Sequence, residues 1–528
     1  DLGQRPANSF VCRGVSYWTD PERAGDCGSR IFMGTNDARL IAIDAKDGRR
    51  CQEFGTDGEV RIDPGMELWW PGEFQITSPP AIIGDTVIVG SAISDNARVA
   101  APAGSVRAFD VRTGAAKWHF DPIPRAADSP VRSDWQVRGT PVEGHANVWA
   151  PMSVDPARGL VFLPTTSPSP DFYGGLRPGD NRHANSVVAL NGETGEVVWG
   201  FQTIHHDVWD YDVPAQPGLY SVWTDGAAHD VVAQVTKTGL VFVLDRETGE
   251  PFLPVQEQPV AQRSVAGEAL SPTQPFPALT PPLVPTTVSP DDAFGVTWFD
   301  KRQCRRLIES SLAQGLFTPP SEQGTILLPF TGGGANWGGA AFDPTRNLLV
   351  VNMSNVAHHV TLFRAQELET MREVFHDQEV SPQQGAPFGM KRTLLVSSLE
   401  LPCTPPPWGV IAGVNLESGQ IVWRKTIGTT EDLSPAPGVK LGTPTFGGPI
   451  ITAGGLVFIG AAMDHYLRAF YVLNGEELWR GRLPAPANAT PMTYTWNGRQ
   501  YVVIYAGGNA RMGTALSDRL IAFALPQD

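Results

Sequence analysis

No stretch of this sequence approaches the ~18–20 consecutive apolar residues of a membrane-spanning helix. The longest candidates, such as GGLVFIGAAM (454–463), are strand length. No signal segment is visible, and the chain begins at Asp1 rather than methionine. That start reads as a processed or truncated product, from which an anchor could have been lost. Positive charge is short as well: 40 Lys and Arg face 55 Asp and Glu, for a net charge of −15. A chain so acidic lacks the basic face that nucleic-acid phosphates require. Cysteine is scarce, with five residues at 12, 27, 51, 304 and 403. None forms a CxxC pair, which argues against zinc and thioredoxin-like chemistry, and no CxxCH motif attaches a haem. Cys27 and Cys51 flank RIFMGTNDARLIAID (30–44), a hairpin turning near Asn36-Asp37. Antiparallel pairing there would bring the two thiols together as a disulfide; the alternative is five buried free thiols.

What the chain has in quantity is turns, with 55 glycines and 47 prolines. It also has a repeat: a short apolar strand, Asp or Asn, polar residues, Gly, three residues, then Trp. The copies are VRAFDVRTGAAKW (106–118), VVALNGETGEVVW (187–199), IAGVNLESGQIVW (411–423) and LRAFYVLNGEELW (467–479). Degraded copies are LIAIDAKDGRRCQEF (40–54) and VFVLDRETGEPFL (241–253). The central dipeptide predicts a hairpin turn, and the tryptophan is placed to pack on the neighbouring unit. The turn glycines fall at 48, 114, 195, 249, 419 and 475. The long gap between 249 and 419 predicts two hidden copies, making eight. The expected fold is all-β: an eight-bladed β-propeller forming a single domain over residues 1–528. RLIAFALPQD (519–528) would close the ring against N-terminal strands, and the aperiodic stretches 255–335 and 364–408 read as loops or insertions. Such an architecture hosts many functions, a plain scaffold among them.

Several segments go further. CRGVSYW (12–18), HHDVWDYDVPAQP (205–217), TKTGLVFVLDRETG (236–249), NWGGAAFDP (336–344), LPCTPPPWG (401–409) and GGPIITAGGLVFIGA (447–461) resemble the quinoprotein dehydrogenases that carry pyrroloquinoline quinone (PQQ). The branch they resemble is that of the membrane-bound glucose and quinate dehydrogenases. The resemblance implies a catalytic portion on the periplasmic face of the bacterial inner membrane, separated from an N-terminal anchor. It implies PQQ with Ca²⁺ or Mg²⁺, a small polyol substrate and ubiquinone as electron acceptor.

Oxidation of an alcohol beside PQQ needs a base, a cation at the quinone, a donor for the reduced ring and a flat surface to hold it. Among Asp207, Asp210 and Asp212 the residue types alone do not choose. By resemblance Asp210 is the base, while His205 and His206 are structural. Lys237, a charge in an apolar strand context, matches a lysine at the quinone oxygens; an anionic cofactor and Asp210 would partner it. Trp149 matches the stacking tryptophan. Arg13 suits a PQQ carboxylate. Asn352, Asp464 and Ser169 match cofactor-pocket positions, and Trp408 is placed at the same channel. Asp95 and Asn96 match a pair implicated in metal and cofactor binding.

For the substrate, Ser9 and Asn509 stand where the glucose enzymes carry histidines, which turns the reading from glucose towards quinate and shikimate. Those substrates carry a carboxylate, so their site should hold a cation. Lys391 and Arg392, in GMKRTLL (389–395), are the candidates, and His358 and His359 are additions after Asn352.

Overall fold

The computed structural model describes residues 6–126, 128–136, 144–432 and 440–526. The chain divides into two compact units. The first holds residues 1–217, 262–275 and 362–391; the second holds 218–261, 276–361 and 392–528. Strand dominates both. The longest helix among the described residues is Trp298–Glu309. No helix among them is long and apolar enough to cross a membrane.

The repeat folds as a recurring antiparallel pair joined by a tight turn. In the first unit, Val106–Asp110 pairs with Ala116–Phe120, and Ser186–Asn191 with Val197–Gln202. In the second, Gly409–Asn415 pairs with Ile421–Thr426, and Tyr466–Tyr471 with Glu477–Arg482. Each of these pairs carries a register shift just after its turn. The connection is therefore wider than a two-residue hairpin. The glycine N–H returns to the carbonyl four residues back, as from Gly114 to Asp110 and from Gly419 to Asn415. The Asp or Asn side chain closes the same turn. Asp110 Oδ1 accepts from the backbone of Arg112 and Thr113, and Asn415 Oδ1 from that of Glu417 and Ser418. This explains why those two residue types recur there. All six turn glycines hold φ between 65 and 77°.

The repeat tryptophan does lock one repeat to the next. Trp118 donates its indole N–H to the Gly192 carbonyl at 3.1 Å, and Trp423 donates to Val472 at 2.8 Å. Their rings lie directly under the following turn glycines. A Cβ on Gly195 would sit 2.6 Å from the Trp118 ring, and one on Gly475 2.4 Å from that of Trp423. Beneath these turns lie the cores. One in the first unit gathers Phe32, Phe54, Phe74, Val87 and Val111; one in the second gathers Val350, Ile411, Val457, Ile459 and Phe470.

Among the described residues there are eight sheets of three or four strands. Six contain the visible repeats. The two others are not both inside the 249–419 gap. One, with Thr325–Leu327 and His358–Arg364, lies there; the other, Met492–Trp496, Arg499–Ala506 and Arg519–Phe523, follows the last repeat. It lacks the Gly–Trp signature of the repeat and turns instead on Asn497-Gly498, a two-residue hairpin signal that the repeat count did not use. Among the described residues, Arg519–Phe523 is bonded to Arg499–Ala506 as the edge of that three-stranded sheet and to no strand from the N-terminal end. Residues 527–528 of the expected closing segment lie outside the described residues. The stretches read as loops hold both α-helices, Trp298–Glu309 and Leu368–Val374, and several strands.

Cys27 and Cys51 are bonded, with Cα atoms 5.7 Å apart. A second disulfide, Cys304–Cys403, spans 99 residues of sequence. No short-range pattern announced it, and the reading of five free thiols is corrected. Cys12 alone is a free, exposed thiol.

Gly195→Ala and Gly475→Ala should each cost about 1–3 kcal/mol, since left-handed backbone and ring overlap add. Gly48→Ala, at a φ of 77° but with nothing within 4 Å of its Cβ, should cost only about 1 kcal/mol. Urea unfolding of the three variants measures the difference.

Candidate active site

The segment HHDVWDYD folds as an irregular loop in the first unit, and its three aspartates have different fates. Asp207 is fully buried. Its Oδ2 accepts from the Ser167 hydroxyl, from Asn185 Nδ2 at 3.0 Å and from the Tyr211 N–H at 3.1 Å. Its Oδ1 takes the Trp209 N–H at 2.9 Å. Burial pushes this carboxyl above its ordinary value, and the bond from Ser167 heads the contributions that oppose the rise. Asp212 is also buried; its Oδ1 accepts from the Ser167 N–H and its Oδ2 from the Trp149 indole N–H at 2.9 Å. Between these two, Asp210 is only partly buried and sits at φ 58°. Left-handed backbone is uncommon for a residue with a Cβ, and is tolerated best by Asn and Asp. The neighbours thus hold the loop, and Asp210 is the least buried of its three aspartates.

Arg177 reinforces the loop from beneath. It is buried, and donates to the Asp207 carbonyl at 2.5 Å and to Asn181 Oδ1 at 2.7 Å. His206 is buried too, with Nδ1 on the Gly179 carbonyl at 2.7 Å and Nε2 on Glu268 Oε1 at 2.8 Å. His205 bonds Gln202 at 2.8 Å. Both histidines are thus hydrogen-bonded within the first unit. Burial opposes ionisation of Glu268, but the hydrogen bond and charge of His206 outweigh it and hold the carboxyl below its ordinary value of 4.5.

Trp149 and Arg13 come together. The guanidinium lies 4.8 Å from the centre of the Trp149 ring and donates to Thr77 Oγ1 at 2.8 Å. An aromatic plate with a cation on it, both partly buried, suits a planar anionic cofactor. Ser169 is buried, its hydroxyl accepting from the His145 N–H at 3.0 Å. Asn96 is spent on a reciprocal pair with Asp171, donating at 2.7 Å and accepting at 3.0 Å, while Asp95 is exposed. The Lys391 ammonium lies 3.9 Å from the centre of the Phe375 ring, and burial holds it below its ordinary value.

The second unit holds the other candidates. Lys237 is buried, and Gly333 packs against its side chain so closely that a Cβ there would meet Lys237 Cγ at 2.6 Å. Arg392 donates to Thr331 Oγ1 at 2.6 Å, and the Thr331 N–H donates to His358 Nδ1 at 3.2 Å. Burial holds His358 well below its ordinary value, and the positive charges of Arg392 and Lys237 add to the effect. His358 is thus neutral at pH 7, in a field that favours an anion. Asn352 is buried, with Nδ2 on the Gly447 carbonyl. Trp408 is buried among Phe330, Val356 and Phe294, its indole N–H on the Thr404 carbonyl. Asp464 is engaged by both Nη atoms of Arg468 and by the Thr429 N–H. Asn509 caps a short turn through Oδ1 to Arg511 and Met512, and its amide donates to Asn488.

Among the described residues, the buried amide oxygens without a hydrogen-bond partner include Asn185 Oδ1 in the first unit and Asn352 Oδ1 in the second. Such oxygens suit a hard cation or a ligand donor. Among the described residues no three His, Cys, Asp or Glu side chains converge to hold a metal ion. Asn185, Ser167, Arg177 and Glu268 were missed by sequence reasoning. Ser167 lies two positions from Ser169, and only the side-chain bond to Asp207 distinguishes it.

Comparison with known proteins agrees with this chemistry. Residues 2–502 match the family model described as the PQQ glucose/ethanol/alcohol dehydrogenase β-propeller domain. The quinoprotein glucose dehydrogenase of Escherichia coli is 40% identical over 98% of this chain and 67% of its own length. The chain belongs to the PQQ-dependent quinoprotein dehydrogenase family. The quinate/shikimate dehydrogenase (quinone) of Acinetobacter baylyi is 37% identical over 97% of this chain and 67% of its own. The chain thus spans about two thirds of the length of these two relatives. Among solved structures, the quinohemoprotein alcohol dehydrogenase of Comamonas testosteroni superposes with a TM-score of 0.64 at 22% identity, covering 94% of this chain and 63% of that one. That last likeness bears on the fold alone. As an oxidoreductase of the quinoprotein family, the chain is not the plain scaffold that its repeats also allowed.

Glu268→Gln should be less stable than wild type by on the order of 1–3 kcal/mol at neutral pH. Because the folded-state value of Glu268 lies below its unfolded one, its contribution is present above about pH 4.5 and is lost as pH falls through the folded value. The gap in thermal midpoint between variant and wild type should therefore narrow as pH is lowered from 7 to 4.

Proposed function

We propose that this quinoprotein dehydrogenase oxidises a cyclic polyol acid, quinate to 3-dehydroquinate and shikimate to 3-dehydroshikimate, and passes the electrons to ubiquinone in the bacterial inner membrane. The observation that carries the substrate choice is the positive cluster of the second unit. Arg392 bonds Thr331, Thr331 bonds the neutral His358, and Lys237 and Arg392 both act on that ring. A substrate carboxylate finds its complement there; a neutral sugar gains nothing from it.

In this reading Asp210 takes the proton of the substrate hydroxyl. The Asp207 network and the Asp212–Trp149 bond fix the loop, so Asp210 pays little reorganisation when it acts. Bound PQQ would supply the two-electron acceptor, and Ca²⁺ or Mg²⁺ beside it the polarising charge. Trp149 would stack on the ring, Arg13 would meet a PQQ carboxylate, and Lys237 would donate to the quinone oxygens. The resemblance also assigns Asn352, Ser169, Asp464 and Trp408 to cofactor binding. Asp464, Ser169 and Trp408 hold their neighbours rather than reach outwards. For the cation, Asn185, whose buried Oδ1 lacks a partner, is placed ahead of the pair Asp95 and Asn96, since Asp171 engages both ends of the Asn96 amide. Asn509, whose side chain is taken up by its cap, shapes the substrate side rather than binding it. Eight sheets of three or four strands support one eight-bladed propeller domain over residues 1–528. Two disulfides support an oxidising compartment, in keeping with the periplasm.

A second reading, glucose or another neutral polyol, is favoured by the identity to the E. coli glucose dehydrogenase. Reconstitution with PQQ and Ca²⁺ or Mg²⁺, followed by dye reduction with quinate, shikimate, glucose and glycerol, separates the two. Turnover on the two acids alone is expected; turnover on glucose alone would overturn the substrate assignment. Arg392→Ala should raise KM for quinate by about tenfold or more, the value of one charge-assisted pair. It should leave KM for any neutral substrate within about twofold.

A further inference from the structure

The helix Trp298–Glu309 of the second unit belongs to none of the sites above. It is fixed from below. Cys304 is bonded to Cys403, and Ile308 packs with Val288, Ala293, Leu328 and Leu395. Thr297 caps its first turn by accepting from the Asp300 N–H at 3.1 Å. What this anchored platform presents outwards is unusual for a soluble surface. Val296, Trp298 and Phe299 are 57%, 63% and 78% exposed, and the two aromatic rings meet edge to face at 4.9 Å. Trp298, Arg302 and Arg306 follow at four-residue spacing, so they share one stripe. That stripe, with Phe299 and Leu307, lines an open groove of 570 Å³.

The charges on this helix sort by position. Asp300 is buried, and Arg305 is engaged by Asp291 and Glu309. Lys301, Arg302 and Arg306 are exposed, and none has a carboxylate within ion-pair distance among the described residues. The outward face is therefore aromatic and cationic, on a chain whose net charge is −15. Isolated exposed apolar residues need no explanation, but a contiguous set rimmed by cations does. Aromatic side chains settle at the headgroup level of a bilayer, while Arg and Lys stems reach along it to anionic phosphates.

We propose that the exposed face of Trp298–Glu309 is a membrane-docking surface whose occupant is an anionic phospholipid bilayer. The contact deepens the membrane location proposed above, is additional to any anchor, and does not depend on the oxidation chemistry. Vesicle binding and dye-linked turnover are separate readouts, so failure of one idea is distinguishable from failure of the other.

The test uses the full chain loaded with PQQ, sedimented with vesicles of phosphatidylglycerol and phosphatidylcholine in equal parts, and with phosphatidylcholine alone. Wild type should bind the anionic vesicles, with a blue shift in tryptophan emission, and lose binding as salt rises. The pair Trp298→Ser with Phe299→Ser, and separately the pair Arg302→Glu with Arg306→Glu, should each weaken binding by about tenfold or more. Both pairs lie on the surface and should keep the wild-type thermal midpoint. No binding to anionic vesicles, or binding that neither pair changes, would overturn the proposal. So would equal binding to neutral vesicles, or a concentration-dependent dimer lost in the same variants, which would assign the face to a second copy.

Discussion

The buried carboxylate of Asp207 is the constraint on which the candidate site depends. An aspartate with no solvent exposure is costly unless every lone pair is met. Here four donors meet it: the Ser167 hydroxyl, the Asn185 amide, and the N–H groups of Trp209 and Tyr211. Those bonds tie the loop 207–211 to two other segments of the first unit. The same loop then places Asp212 under Trp149 and leaves Asp210 in left-handed backbone between two committed neighbours. One saturated carboxylate thus fixes the loop from which Asp212 holds Trp149 and Asp210 projects.

The blades that carry this loop were legible in the sequence because their chemistry is local. A turn that needs an Asx side chain, a glycine at positive φ and a tryptophan beneath the next turn writes itself at fixed spacing. Asp110–Gly114–Trp118 and Asn415–Gly419–Trp423 are cases where the spacing and the geometry coincide. The sheet of Met492–Trp496, Arg499–Ala506 and Arg519–Phe523 escaped the repeat count for the complementary reason. Its hairpin turns on the two-residue Asn497-Gly498, both at positive φ, which lies outside the Asx–Gly–Trp spacing of the repeat. The Cys304–Cys403 bond was equally silent, since 99 residues separate its halves and neither flanks a hairpin.

At the candidate site, the sequence singled out the loop but not the different partners of its aspartates. Asp207, Asp210 and Asp212 are the same residue type in one short motif, and only their partners distinguish them. Asn96 looked like a cation ligand by position, yet Asp171, 75 residues away, takes both ends of its amide. Asn185 belongs to no motif in the sequence, yet its carbonyl oxygen is buried without a partner. Such roles are set by tertiary contacts between distant segments, which spacing along the chain does not encode. Arg13 and Trp149 were legible only through resemblance, since 136 residues lie between them.

The proposed mechanism separates two roles: Asp207 holds the loop, and Asp210 would take the proton. The most direct test compares Asp210→Asn with Asp207→Asn, each reconstituted with PQQ, by thermal midpoint, PQQ binding and dye-linked turnover. Asparagine tolerates left-handed backbone as well as aspartate does. Asp210→Asn should therefore keep its thermal midpoint and its affinity for PQQ while losing turnover by about 10²–10⁴-fold. Asp207→Asn should lower the midpoint, because an amide nitrogen would face donors. If Asp210→Asn turned over at the wild-type rate with PQQ bound, the base would lie elsewhere and the central claim would be contradicted.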